Sequence, residues 1–489
     1  MVIFNLFKKY PSGFEGLFFT QAFFNFSFYG LKSLFVLYVI AQFSLSESKA
    51  ISLFATLMAL SYAASLIGGW IADKGLGVKS TIIVGGLFQA LGIFLLIFPS
   101  EELFFLALSL ICLGSGLFKP NLSSAVGMLF EDPKDPHKDN TYSAFYVAMN
   151  LGSFAGPLLC GFISKNYGGY YNGLFLIIVA LIGGIWFFSA KIRFKQKISS
   201  PPFMNISYTH FAFIGAGLIG LLFVLYFLFK YHETFNHLMG AIALGSIIFL
   251  GKIFHQSNSQ ERTEILSIAF YILLFTFFCS LFEQVGSSLM IFFDKVVDRH
   301  ILGIEIPSSS LLSLGSILTI ICSPLLILFS EKIVEKKTKI DGLIKLSIGF
   351  LFTGLSFFIL ALGCTTENAS VSLYWVIGAL LIQTIGELLI VPIGFSNVSK
   401  LSPPRYRSLM MSFWLMAIAY GHYFAGFIAQ FSLTDSSISE NSLEHYHVFF
   451  LNLALMPCAV GCMLLIYQTL KRFRGLQKTR KIPIKQYEQ

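Results

Sequence analysis

The sequence predicts an all-α polytopic membrane protein with fourteen transmembrane helices, and three observations carry that expectation. Its 489 residues are 55% hydrophobic and only 12% charged, which leaves no room for the polar surface of a soluble chain this long. Fourteen segments reach the roughly 20 largely apolar residues that a bilayer crossing needs. The basic residues fall in short loops between those segments. A formal net charge of +9 so distributed points to the lipid bilayer, and no nucleic acid partner is expected.

The segments follow in order. The first, roughly 14–42, comes after Lys8 and Lys9 with no small-residue cleavage site behind it, so it is expected to stay as the insertion signal. Next come 50–72, 80–98, 103–130, 141–163 and 169–190. A polar break from Lys191 to Tyr208, holding Pro201 and Pro202, reads as a linker. The pair 209–230 and 237–254 carries only Lys252 and the edge histidines His210, His232 and His237, and looks structural. After His255 to Thr263 come 263–293, 308–330, 341–363, 371–399, 407–431 and 446–470. Several exceed a straight crossing, so tilt or protrusion is expected.

This 6 + 2 + 6 order divides the chain into an N-terminal six-helix bundle (1–198), a linker with the extra pair (199–262) and a C-terminal six-helix bundle with its tail (263–489). Two six-helix halves around a central site are the layout of the major facilitator fold. With the N-terminus inside, one side receives Lys74, Lys79, Lys134, Lys138, Arg193, Lys337, Arg405 and the basic tail from Lys471. The other side holds few basic residues, among them Lys49, Lys165 and Arg299. Both termini are therefore expected in the cytoplasm of a cell whose inner membrane holds the chain.

Seven cysteines lie in or beside apolar runs with no C-x-x-C pair, so neither a metal site nor a disulfide framework is expected. No nucleophile–base pairing or phosphate loop suggests an enzyme, and no cofactor is expected.

Lys119 poses the main question. It stands more than two turns from either end of the run 103–130, and an unpaired ammonium at such depth costs roughly 2.5–3.5 kcal/mol. Snorkelling fits poorly there; a polar cavity between helices, where a substrate or an internal acid pairs with it, fits better. The other intramembrane ionisable residues are Lys32, Glu283, Glu387 and His422. The cations lie in the first half and the acids in the second, which suits halves that rock against each other. Between the second and third segments, Gly68, Gly69, Asp73, Lys74, Gly77 and Lys79 combine a tight turn with charges that can lock helices, a spacing that resembles the loop motif of the major facilitator superfamily.

Three stretches resemble the proton-dependent oligopeptide transporters. They are Gly114 to Asn121 around Lys119, Phe145 to Ser153 around Asn150, and the second-half residues Leu281 to Ser288 with Gly386 to Pro392, Lys400 to Pro404 and Met411 to Trp414. The resemblance covers essentially the whole chain, including the extra pair typical of bacterial members. It implies alternating-access import of di- and tripeptides coupled to protons. It also implies that Glu387 engages a peptide's amino terminus and that Lys119 takes its carboxylate. Tyr29, Tyr62, Asn150 and Trp414 match pocket-lining positions. Lys32 matches a basic residue bridging to the seventh-helix acid, here Glu283, as an outer gate; a static packing bridge is the alternative. His422 is either a proton relay or a hydrogen-bonded structural histidine.

The chain departs from this family in its first helix. The usual Glu-x-x-Glu-Arg frame reads Gln21, Phe24 and Asn25 here, and one tyrosine is Phe28. A family asparagine aligns with Gly315 and a tryptophan with Cys279. Lys119 thereby loses its usual internal partner and either stays unpaired or pairs with Glu283. These losses admit two further expectations: a facilitator of amino-acid-like or other small polar metabolites without proton coupling, or a non-transporting receptor for such ligands. By analogy with the architecture, the chain acts as a monomer.

Overall fold

The structure, a computed structural model, describes residues 10–72, 76–130, 138–191, 208–301, 303–335, 342–365, 370–402, 407–433 and 442–480. Fourteen of its helices are long. In their described residues, thirteen spans are long and apolar enough to cross a membrane, and Arg407–Gln430 matches them in length. The first six are α1 (Phe14–Phe43), α2 (Glu47–Ile71), α3 (Val78–Leu95), α4 (Glu101–Gly127), α5 (Lys138–Asn166) and α6 (Tyr170–Lys191). The extra pair is α7 (Tyr208–Lys230) and α8 (His232–Gln256). Then come α9 (Ser259–Phe282), the short α10 (Ser288–Lys295), α11 (Leu311–Glu335), α12 (Gly342–Gly363), α13 (Leu373–Leu401), α14 (Arg407–Gln430) and α15 (Ser442–Arg480).

Two features differ from the expected all-helical pattern. The run 263–293, read as one helix, is broken by a 3-10 turn at Glu283–Gly286, and Ser287 leaves the helical region at φ −127° and ψ −96°. Gly286 packs so closely on the first half that a Cβ there would lie 2.7 Å from the Phe54 ring, and Gly and Ser hold a helix weakly. The connection from α10 to α11 also forms short strands. His300–Ile301 pairs antiparallel with Ile304–Glu305, and Val297–Asp298 runs parallel to Val371–Ser372. β-branched residues either side of Gly303, at φ +81°, suit such a hairpin.

In lipid, helices gain little from burying apolar surface against each other, so close backbone approach and hydroxyl bonds hold them together. Helix α1 sits at the centre of the first half against α5 and α6. A Cβ at Gly152 of α5 would fall 2.1 Å from the Ala22 carbonyl oxygen, and one at Gly156 2.2 Å from that of Phe26. Thr20 and Ser27 donate to the carbonyls of Gly184 and Ile177 on α6 at 3.1 and 3.0 Å.

The halves meet where α2 packs on α14 and α5 packs on α11. Ser316 donates to Ser153 at 3.0 Å and Ser313 to the Phe154 carbonyl at 2.7 Å. The end of the molecule near Glu47 is latched shut by Lys295 with Glu47, by Ser48 with Gln430, and by Lys165 with Glu305 at 2.5 Å. Arg299 adds a second cation to Glu305 at 3.0 Å. The Lys165 hydrogen bond, with Arg299 behind it, holds the Glu305 carboxyl below the usual carboxylate range. A carboxyl so lowered keeps its contribution above its unfolded value and loses it only as pH falls through the folded one. The Lys165–Glu305 contact therefore survives mild acidification from neutral pH.

The glycine loop motif divides sharply. A Cβ at Gly68 would stand 2.1 Å from the Gly116 carbonyl of α4, whereas one at Gly69 meets nothing within 4 Å. Asn121 of α4 donates to the Gly68 carbonyl at 3.0 Å. Asp73, expected to lock this loop, lies outside the described residues, and Gly77 turns the chain at φ +77°. Gly68→Ala should cost on the order of 1–3 kcal/mol by overpacking. It should lower the melting temperature of the detergent-solubilised protein, while Gly69→Ala leaves it within experimental error. Equal effects of the two would contradict this packing.

Candidate substrate and proton site

The site assembles where α1, α2 and α4 face the broken α9 and α14. Lys32 of α1 donates to Glu283 Oε2 at 2.6 Å, and the two side chains are only 6% and 12% exposed. The pairing expected from the sequence is therefore present. The 3-10 turn helps: by ending α9 at Phe282 it carries Glu283 at its first position, directly opposite Lys32. On the same carboxylate oxygen, at 3.5 Å, lies Nδ1 of His422 from α14. The His422 ring stacks on Tyr62 of α2, centroids 5.2 Å apart and planes 23° apart.

Lys119 is not paired with Glu283. Its Nζ is buried with no hydrogen-bond partner among the described residues, and it sits over two rings, 3.5 Å from the centroid of Phe28 and 4.0 Å from that of Tyr62. Each such contact is worth about 2 kcal/mol when desolvated, less than a charged partner supplies. Phe28 is held by the aromatic column Phe118, Phe24, Phe28, with centroid spacings of 4.5 and 6.1 Å. Gln21 donates to Asn25 at 2.9 Å, and Asn25 donates to the Met149 carbonyl of α5 at 3.0 Å. The frame that would carry two acids and an arginine thus holds an aromatic stack and a neutral hydrogen-bond chain.

In the second half, Glu387 of α13 is half-buried, with no ion pair or hydrogen bond among the described residues. Tyr29 lies beside the Lys32–Glu283 pair, with Lys32 Nζ 5.6 Å from its ring centroid. Asn150 donates to the Tyr146 carbonyl at 3.0 Å, one turn earlier on α5. Tyr146 itself is 48% exposed. The sequence reading passed over Tyr146, although its i, i+4 relation to Asn150 places both on one helix face. Trp414 is placed differently from a pocket wall. It is 2% exposed, stacks on Phe275 at 3.9 Å, and fills the space left by Gly394. The described residues contain no group of three or more His, Cys, Asp or Glu able to hold a metal ion.

A few buried charges lie here between two helical halves, closed toward one end, and the Lys119 ammonium has no hydrogen-bond partner among the described residues. Such an arrangement binds and moves a charged solute; it defines a secondary transporter of the major facilitator fold. The POT family profile matches residues 79–462, and the chain belongs to that family. It is 27% identical over 469 residues to dipeptide and tripeptide permease A of Escherichia coli (strain K12), covering 94% of this chain and 93% of that one. The protein of the same name from Proteus mirabilis (strain HI4320) is 28% identical over 468 residues, covering 94% and 95%. Among solved structures, peptide transporter POT in complex with sulfate superposes with a TM-score of 0.81 at 26% identity, covering 94% of this chain and 95% of that one.

Proposed function

We propose that this protein imports di- and tripeptides by alternating access, driven by protons. The observation that carries the reading is the Lys119 ammonium of the first half, buried with no hydrogen-bond partner among the described residues, while the Glu387 carboxylate of the second half has no ion pair there either. A zwitterionic peptide supplies the complement to both: its carboxylate to Lys119 and its ammonium to Glu387, each as a charge-assisted hydrogen bond. Tyr29, Tyr62, Tyr146 and Asn150 offer hydroxyls and an amide along the backbone between them. Reading the termini leaves the side chains largely unread, so specificity is broad.

The closed end is taken as the outer one, following the distribution of basic loops. Both termini then face the cytoplasm of a cell whose inner membrane holds the chain, and the structure is closed toward the outside. The halves that rock are residues 1–198 and 263–489, with the pair in 199–262 outside the moving cavity, and one copy of the chain suffices. Lys32 and Glu283 form the outer gate, and opening parts them.

The neutral first-helix frame of Gln21, Phe24 and Asn25 favours a second reading, facilitated movement of peptides or amino-acid-like zwitterions without protons. Uptake of labelled dialanine into proteoliposomes separates the two. Accumulation above the outside concentration only under an inward proton gradient supports coupled import. Mere equilibration leaves the facilitator, and no entry by folded protein overturns the peptide assignment.

A further inference from the structure

His422 is a buried titratable group to which the gate and the peptide clamp assign no task. It is 1% exposed, and its Nε2 has no hydrogen-bond partner among the described residues. Its Nδ1 faces Glu283 Oε2 at 3.5 Å. The charged groups that act on the ring are Glu283, from the turn after α9, Lys32, from α1, and Lys119, from α4; Tyr62 of α2 stacks against it. On its other neighbour, α9, Cys279 packs against Gly421.

Which of these partners stay together matters. Glu283 and His422 belong to the same half, and Gln284 donates to the Ala425 carbonyl at 3.1 Å, tying the Glu283 turn to α14 one turn beyond His422. Lys32 and Tyr62 belong to the other half. Opening the closed end withdraws Lys32 from the carboxylate but leaves His422 beside it.

We propose that His422 binds the transported proton together with Glu283, taking it on Nε2. The proposal rests on the proton-coupled reading above. In the closed form the imidazole is neutral, with its hydrogen on Nδ1 facing the carboxylate and Nε2 bare. When Lys32 withdraws, an N–H bond forms at Nε2 with a proton from the outer solution. The resulting imidazolium replaces the lost ammonium as the partner of Glu283. Closure brings Lys32 back to the same oxygen. Three cations, Lys32, Lys119 and the imidazolium, then share a single neighbouring carboxylate, and their repulsion breaks the Nε2–H bond and releases one proton inward. One proton enters and one leaves per cycle, and no other bond changes.

The test compares wild type with His422→Asn, whose amide nitrogen replaces Nδ1 but cannot titrate, and with His422→Gln. An inward gradient of about one pH unit drives a one-proton symporter to about tenfold dialanine accumulation. Wild type should reach it. Both variants should stop at equilibration, while their gradient-free counterflow exchange stays within about threefold of wild type, because the peptide clamp is intact. Accumulation by the variants at the wild-type level overturns the role of His422 and leaves coupled import standing. Failure of wild type to accumulate overturns both. Loss of counterflow as well as accumulation, in variants that melt like wild type, assigns His422 to binding or packing and also overturns the proposal.

Discussion

Glu283→Gln is expected to abolish gradient-driven accumulation and to loosen the closed end of the transporter. The carboxylate is the only acid within 4 Å of Lys32 among the described residues, at 2.6 Å, and both side chains are nearly buried. Removing one partner of a buried ion pair typically costs about 3–5 kcal/mol, because the other charge is left without compensation. On the gate proposed above, the cost falls on the closed form alone, because opening separates the pair. A change of that size shifts the balance of closed to open outer end by about 10²–10⁴-fold, readable as labelling of a cysteine placed at the closed end. The double variant Lys32→Met with Glu283→Gln removes both charges, so closure should recover while accumulation does not. If the double variant labels like the single one, the bridge is not what holds the gate. If Glu283→Gln still accumulates dialanine, Glu283 has no part in coupling.

The second large effect concerns Lys119. Its ammonium is buried over Phe28 and Tyr62 with no hydrogen-bond acceptor among the described residues, a costly state that a bound carboxylate would relieve. Lys119→Met should therefore act in opposite directions on stability and on function. Without peptide, the variant should melt at a higher temperature than wild type, because an uncompensated charge has been replaced by an apolar chain of similar length. Its dialanine affinity should fall by about 10–100-fold, the worth of a charge-assisted hydrogen bond. Dialanine should also raise the melting temperature of wild type more than that of the variant. A variant both less stable and unchanged in affinity would mean that Lys119 is a packing residue.

The fourteen segments were legible because hydropathy over twenty residues is a strong signal; most limits agree with the helices to within a few residues, but the helix of the run 263–293 ends at Phe282 and the last runs on to Arg480. The break at Glu283 was not legible. Nothing in the apolar run 263–293 marks it except Gly286, Ser287 and Ser288, whose weakness becomes decisive only when Phe54 of another helix presses on the glycine. The Lys32–Glu283 pair was foreseen from the positions both residues occupy in a recognised frame; composition alone would have left two unrelated charges 251 residues apart. His422 shows the opposite case. The sequence left it between a proton relay and a structural histidine, because its neighbours Tyr62 and Glu283 come from α2 and from the turn after α9, joined only by the docking of the two halves. Trp414 carried a site expectation, yet Gly394 opposite it allows the indole to sink into the packing of α13 and α14 against Phe275. The loss of the first-helix charges was visible at once. That an aromatic column and a Gln21–Asn25–Met149 chain would fill their place was not, since both depend on α4 and α5.

The clamp is tested most directly by dialanine with its ends blocked one at a time. Affinities of dialanine, its N-acetyl form and its C-terminal amide are measured on wild type, Lys119→Met and Glu387→Gln. Each block should weaken binding to wild type by about 10–100-fold. Amidation should cost nothing further in Lys119→Met, and acetylation nothing further in Glu387→Gln. Blocks whose costs are the same in the variants as in wild type would contradict a site that reads the two ends of a peptide.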